Sequence, residues 1–180
     1  MPGRVIAVVG PSGVGKDSVI SGLKDLMPNV HLVRRVITRD PDLGGEDYDA
    51  VSSEEFDAME QSGAFALHWG AHGLRYGIPI TIKYQLTKGT DCVVNFSRKA
   101  LSEGADIFPN FLILNITASA ETLEKRLSAR GRESAEEIAK RIAVAQKTLP
   151  AELNIVEVSN DGLLAQTVAR AAALVQPERA

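Results

Sequence analysis

Residues 5–16 read VIAVVGPSGVGK, an unbroken apolar run that empties into a glycine-rich turn closed by a lysine. No other segment restricts the fold of this chain as tightly. Successive apolar side chains, several of them β-branched, suit a strand buried on both faces, which is the condition of a parallel sheet. The turn Gly10-Pro11-Ser12-Gly13-Val14-Gly15-Lys16 fits G-x-x-x-x-G-K. In that spacing the glycines let backbone N–H groups converge on a phosphate, a helix N-terminus stands behind them, and the lysine reaches the outer phosphates. Val19, Ile20, Leu23, Leu26 and Met27 continue as the stripe of an amphipathic helix over 16–27, ended by Pro28. A glycine-rich turn arising by chance would not carry both flanks. The expectation is an α/β fold of the P-loop NTPase type, a mostly parallel sheet flanked by helices.

The remaining pattern agrees with alternating strands and helices. Further strands are expected at 30–37, 92–96, 111–116 and 153–158, and helices at 53–62, 79–86, 120–130, 134–147 and 163–175. Residues 40–49 are polar and read as a loop, and 65–76, with Gly70 and Gly73, as a hairpin. At 180 residues the chain is expected to form a single domain over 1–180, with residues about 37–77 inserted into the alternation.

Composition removes several function classes. The formal charge is −3, whereas a nucleic-acid binder would show a basic footprint. Cys92 is the one cysteine and sits in an apolar run, so it is expected to be a buried thiol with no intrachain disulfide. No stretch has the length of a membrane span, and the N-terminal apolar run is short for a signal peptide. A cytoplasmic enzyme with no nucleic-acid or membrane partner is the expectation.

Charged residues fall in two sets. Arg34, Arg35 and Arg39 lie in and after the second strand, His68, His72, Arg75 and Tyr76 in the hairpin, and Arg98 and Lys99 after the strand ending at Asn95 and Ser97. Strand C-termini of a parallel sheet face the ligand crevice, which suits Arg39 and Arg98 to an anionic acceptor. Arg126, Arg130, Arg132 and Arg141 form the second set, with Gly131 as a hinge between two helices. An arginine-bearing helical hairpin suits a lid over a triphosphate, which is favoured over the ordinary solvated face that Glu121, Glu124, Glu136 and Glu137 would also fit. Asp17 stands where a P-loop usually places Ser or Thr, and a carboxylate there is an oxygen ligand for Mg²⁺.

Taken together, GPSGVGKD at 10–17, ITRDPD at 37–42, EDYDAVSSEEFDAM at 46–59, SGAF at 62–65, HGLRYGIP at 72–79, RLSARGRES at 126–134 and SNDG at 159–162 resemble the guanylate-kinase-like branch of the nucleoside monophosphate kinases over nearly the whole chain. The resemblance implies an acceptor-binding insertion at about 37–77 and a LID at about 130–145. It departs where that family reads its acceptor. Arg39 matches the first of two phosphate-holding arginines, but Asp42 occupies the place of the second. Gly70 stands where the guanine-reading glutamate is expected, and Asn95 and Ser97 where an acidic pair is expected. Without those carboxylates a guanine base loses its partners.

The aspartate after the P-loop lysine, Trp69 before the hairpin, VNFSR at 94–98, RGRE at 130–133 and the final NDG are similar to the branch that phosphorylates ribose 1,5-bisphosphate and is linked to phosphonate use in bacteria. That resemblance implies ATP with Mg²⁺ as donor, a small phosphorylated sugar as acceptor and 5-phosphoribosyl 1-diphosphate as product, and it leaves a homodimer open. For such a transfer the expected roles are Lys16, Arg130 and Arg141 on the triphosphate, cradled by Gly10, Pro11, Ser12, Gly13, Val14, Gly15 and Ser18; Asp17 near the metal; Asn160 at the adenine edge; Arg35, Arg39, Tyr76 and Arg98 on acceptor phosphates; and the small neutral Asn95 and Ser97 on ribose hydroxyls. A nucleotide kinase, a non-catalytic guanylate-kinase-like module and a sugar kinase recruiting Asp40 as base remain as alternatives.

Overall fold

The computed structural model describes residues 1–43 and 45–176; Gly44, within the expected loop, lies outside them. In chain order the elements are β1 (Val5–Val9), α1 (Lys16–Leu26), β2 (His31–Leu32), β3 (Arg35–Ile37), β4 (Tyr48–Ala50), α2 (Ser53–Gln61), β5 (Phe65–Ala71), β6 (Leu74–Pro79) and α3 (Ile82–Thr87). They continue as β7 (Cys92–Asn95), α4 (Leu101–Ile107), β8 (Phe111–Thr117), α5 (Ala120–Arg130), α6 (Ala135–Ala145), β9 (Ile155–Ser159) and α7 (Leu164–Val175). One sheet has the order β2-β7-β1-β8-β9 and a second the order β4-β3-β6-β5. Every residue of β1 is fully buried, as its apolar run predicts.

The chain divides into two compact units. The first comprises Met1–Ala7 and Asn29–Phe111. Here β2 runs parallel to β7, pairing His31 with Cys92 and Leu32 with Val93. The four-stranded sheet is mixed: β3 is parallel to β4 and antiparallel to β6, which in turn is antiparallel to β5. Its packed centre is Ile37, Tyr48 and Tyr76, joined by Trp69 and Leu74. Gly77 has no room for a side chain, since a Cβ would lie 2.4 Å from the Phe65 ring. Ser52 and Glu55 close a capping box at the start of α2.

Three expectations change in this unit. The strand expected over 30–37 is two strands in two sheets, and the exposed Arg34 lies at the changeover. The polar stretch 40–49 contains β4, which the expected loop did not include. Helix α4 forms between the expected strands, burying Leu101 and Gly104.

The second unit comprises Val8–Pro28 and Leu112–Ala180. β8 and β9 are parallel, from Ile113 opposite Ile155 to Thr117 opposite Ser159. α1 packs on α7, where a Cβ on Gly22 would approach Val168 to 2.6 Å. α5 begins at the Ser119 cap and ends at Gly131, whose φ of 63° is left-handed. α6 starts on a capping box of Ser134 and Glu137, and those bonds hold the Glu137 carboxyl below its ordinary range.

Candidate active site

The phosphate loop belongs entirely to the second unit. Gly10 to Gly15 link β1 to α1, and Lys16, Asp17 and Ser18 form the first helical turn. Gly13 and Gly15 have φ of 84° and 91°, the left-handed region that side-chain-bearing residues avoid. Gly15 is also the N-cap, with no side-chain bond, and a Cβ there would lie 2.7 Å from Asn160 Nδ2. Such a bare turn ahead of a helix N-terminus suits a phosphate.

The loop is braced from behind. The Val14 carbonyl accepts from Asn160 Nδ2 at 2.8 Å and from the Arg126 guanidinium at 3.1 Å, and Arg126 also donates to the Asn160 carbonyl at 2.7 Å. Asn160 is 4 % exposed. It therefore holds the loop's shape, a role its expected place at the adenine edge did not include. Arg126, expected on the lid, is likewise a brace. The neighbouring Asp161 accepts from the Ser119 amide and the Ser159 hydroxyl, and those bonds hold its carboxyl far below the usual range.

Of the arginines expected on a lid, Arg141 reaches the loop. Arg141 on α6 donates to Ser12 Oγ at 2.6 Å and pairs with Glu133. The other Glu133 oxygen is buried and without a hydrogen bond. Arg130 is exposed at the end of α5. Lys16 Nζ donates to the Gly10 carbonyl at 3.3 Å, folded along the loop that carries it.

The residues expected to bind the acceptor all belong to the first unit. Arg39, just beyond β3, lies over the Tyr48 ring at 5.3 Å, and the Tyr48 hydroxyl donates to the Asp40 carbonyl. Ser97 and Arg98 form the turn after β7, where Ser97 Oγ accepts from the Lys99 amide. Tyr76 is 6 % exposed and stacks on Trp69 at 5.7 Å. Arg35, 5 % exposed, is bound to Glu46: Nε donates to Oε2 at 2.9 Å and Nη2 to Oε1. Asn95 Nδ2 donates to the same Oε1 at 3.3 Å. Two other arginines are tied down locally, Arg34 by Asp47 and Asp49 and Arg75 by Asp57 and Glu60. The sequence reading did not single out Glu46, which entered it only as the first residue of the EDYD stretch.

A glycine-rich loop, braced between a core strand and a helix, with arginines from a capped helical hairpin beside it, defines a P-loop phosphotransferase. The chain belongs to the guanylate kinase family, whose model matches residues 2–172, and within it groups with proteins called ribose 1,5-bisphosphate phosphokinase. The one from Ruegeria sp. (strain TM1040) is 50 % identical over 179 residues, covering 99 % of this chain and 94 % of that protein. The one from Rhizobium etli (strain CIAT 652) is 45 % identical over 167 residues, covering 89 % and 83 %. Among solved structures, guanylate kinase from Anaplasma phagocytophilum matches with a TM-score of 0.73 at 20 % identity, covering 96 % of this chain and 84 % of that one. The last likeness is one of fold.

Proposed function

We propose that this chain transfers the γ-phosphoryl group of ATP to ribose 1,5-bisphosphate, giving 5-phospho-α-D-ribose 1-diphosphate and ADP. The likeness to the Ruegeria phosphokinase over nearly its whole length carries the reading. The side chains at Gly70, Asn95 and Ser97, none of them a carboxylate, support a sugar acceptor over guanine.

An oxygen of the 1-phosphate attacks the γ-phosphorus, the bond from γ-phosphorus to the bridging oxygen breaks, and the electron pair leaves with ADP. The attacking phosphate has a second pKa of about 6 and is largely ionised near neutral pH, so no protein base is needed. What the chain must supply is position and positive charge. Lys16, Arg130 and Arg141 are assigned to the triphosphate, with Gly10–Gly15 and Ser18 as its cradle; Arg39, Tyr76 and Arg98 are assigned to acceptor phosphates. Arginine suits these roles because its planar fork matches phosphate oxygens.

No group of three or more His, Cys, Asp or Glu able to hold a metal occurs among the described residues. The exposed Asp17 carboxylate at the start of α1 fits instead a Mg²⁺ carried by the nucleotide, which needs only one or two carboxylates besides phosphate and water. Bound there, Mg²⁺ would offset charge on the β- and γ-phosphates. ³¹P NMR of enzyme with Mg·ATP and ribose 1,5-bisphosphate tests the reading. A new diphosphate resonance pair on the sugar is expected, and its absence with active, ATP-binding protein would refute it.

A further inference from the structure

Glu46 is an anion in the unit assigned to a doubly phosphorylated acceptor, a placement that invites repulsion. Its charge is cancelled by Arg35, and the side chains of the pair are 6 % and 13 % exposed. The guanidinium is itself held over Tyr76 at 4.8 Å and Trp69 at 5.8 Å. Arg35 is therefore committed to Glu46. A neutral pair of this kind presents carboxylate oxygens without presenting net negative charge.

The bonding leaves capacity on one oxygen. An ionised carboxylate has about four acceptor sites. Oε1 accepts from Arg35 and Asn95, whereas Oε2 accepts only the Arg35 Nε bond among the described contacts. Asn95, bonded to this carboxylate, and Tyr76, beneath its arginine partner, are already assigned to the acceptor. The groups that distinguish ribose from other sugar phosphates are ring hydroxyls, each a donor seeking such an oxygen. Resting on the ribose bisphosphate reading above, we infer that the Glu46 carboxylate, fixed by Arg35 and Asn95, accepts a hydrogen bond from a ring hydroxyl of the acceptor and selects ribose over its deoxy analogues.

The full-length enzyme tests this with Mg·ATP and three acceptors, ribose 1,5-bisphosphate and its 2-deoxy and 3-deoxy analogues. Wild type should prefer ribose in kcat/KM over one analogue by about 10- to 100-fold, the size of a hydrogen bond to a charged group. In Glu46→Gln that ratio should fall to within a few-fold while KM for ATP stays unchanged. If Glu46 only ties β3 to its neighbouring loop, a folded Glu46→Gln would lose activity equally on all three acceptors, which overturns the inference. Equal use of all three by wild type overturns it without any variant. Turnover of GMP but not of any sugar bisphosphate would instead remove the reading on which the inference rests.

Discussion

Arg126 donates to the carbonyl of Val14 at 3.1 Å across 112 residues of sequence, and the same carbonyl accepts from Asn160. Through this bond α5 sets the shape of the phosphate loop. Lysine cannot reach both the Val14 and Asn160 carbonyls with one fork. Arg126→Lys should therefore cost about 2 kcal/mol, the scale of hydrogen bonds from a charged donor, and lower Tm by about 4–8 °C. It should also raise KM for ATP while leaving acceptor KM unchanged; differential scanning fluorimetry and steady-state kinetics check both.

Gly15→Ala should abolish ATP binding in the micromolar range. A left-handed φ costs a non-glycine residue about 1–2 kcal/mol, and the added methyl would also meet Asn160 Nδ2 at 2.7 Å. Isothermal titration with Mg·ATP measures the loss, and wild-type affinity in the variant would show that the loop tolerates the change.

Asp161 makes stability depend on pH with a definite sign. Its folded pKa lies below the unfolded value of about 3.9, so the stabilisation is complete above that pH and is lost as pH falls below it toward the folded value. The Tm gap between wild type and Asp161→Ala should be constant from pH 8 to 5 and shrink steadily below about pH 4. A gap independent of pH across that range would mean the carboxylate charge is irrelevant.

Glu133 holds Arg141 beside Ser12. A partly exposed ion pair contributes at most about 1 kcal/mol, so Glu133→Gln should raise KM for ATP only a few-fold, and Arg141→Ala much more. Equal effects of the two substitutions would assign Glu133 a role of its own.

The residues assigned to the donor and those assigned to the acceptor lie in different units, and the variants should separate likewise. Lys16→Ala should lower kcat by orders of magnitude with little change in acceptor KM, and Arg39→Ala should chiefly raise acceptor KM. The reverse pattern would exchange the assignments.

The phosphate loop was largely legible in the sequence because its pattern is local. Residues 5–27 carry strand, loop and helix in one stretch, and the burial of β1 and the left-handed Gly13 and Gly15 follow from it. Asn160 was placed in the nucleotide site by resemblance, but its bond to Val14 spans 146 residues, and no local pattern reports such a contact. The acceptor side was harder for the same reason. Arg34 and Arg35 look alike in sequence, yet one is exposed between Asp47 and Asp49 while the other is buried on Glu46. The strand β4 was hidden in a polar loop, since a three-residue strand shows too little alternation to detect. Cys92 fits its expected character: it is fully buried, and desolvation pushes its thiol up to about 11.

The most direct test of the central claim is a coupled ADP-release assay with Mg·ATP, comparing ribose 1,5-bisphosphate with GMP at equal concentration. The account predicts turnover with the sugar bisphosphate and little or none with GMP. Turnover with GMP alone would contradict it and would mean that a guanine base is recognised here without carboxylates at Gly70, Asn95 or Ser97.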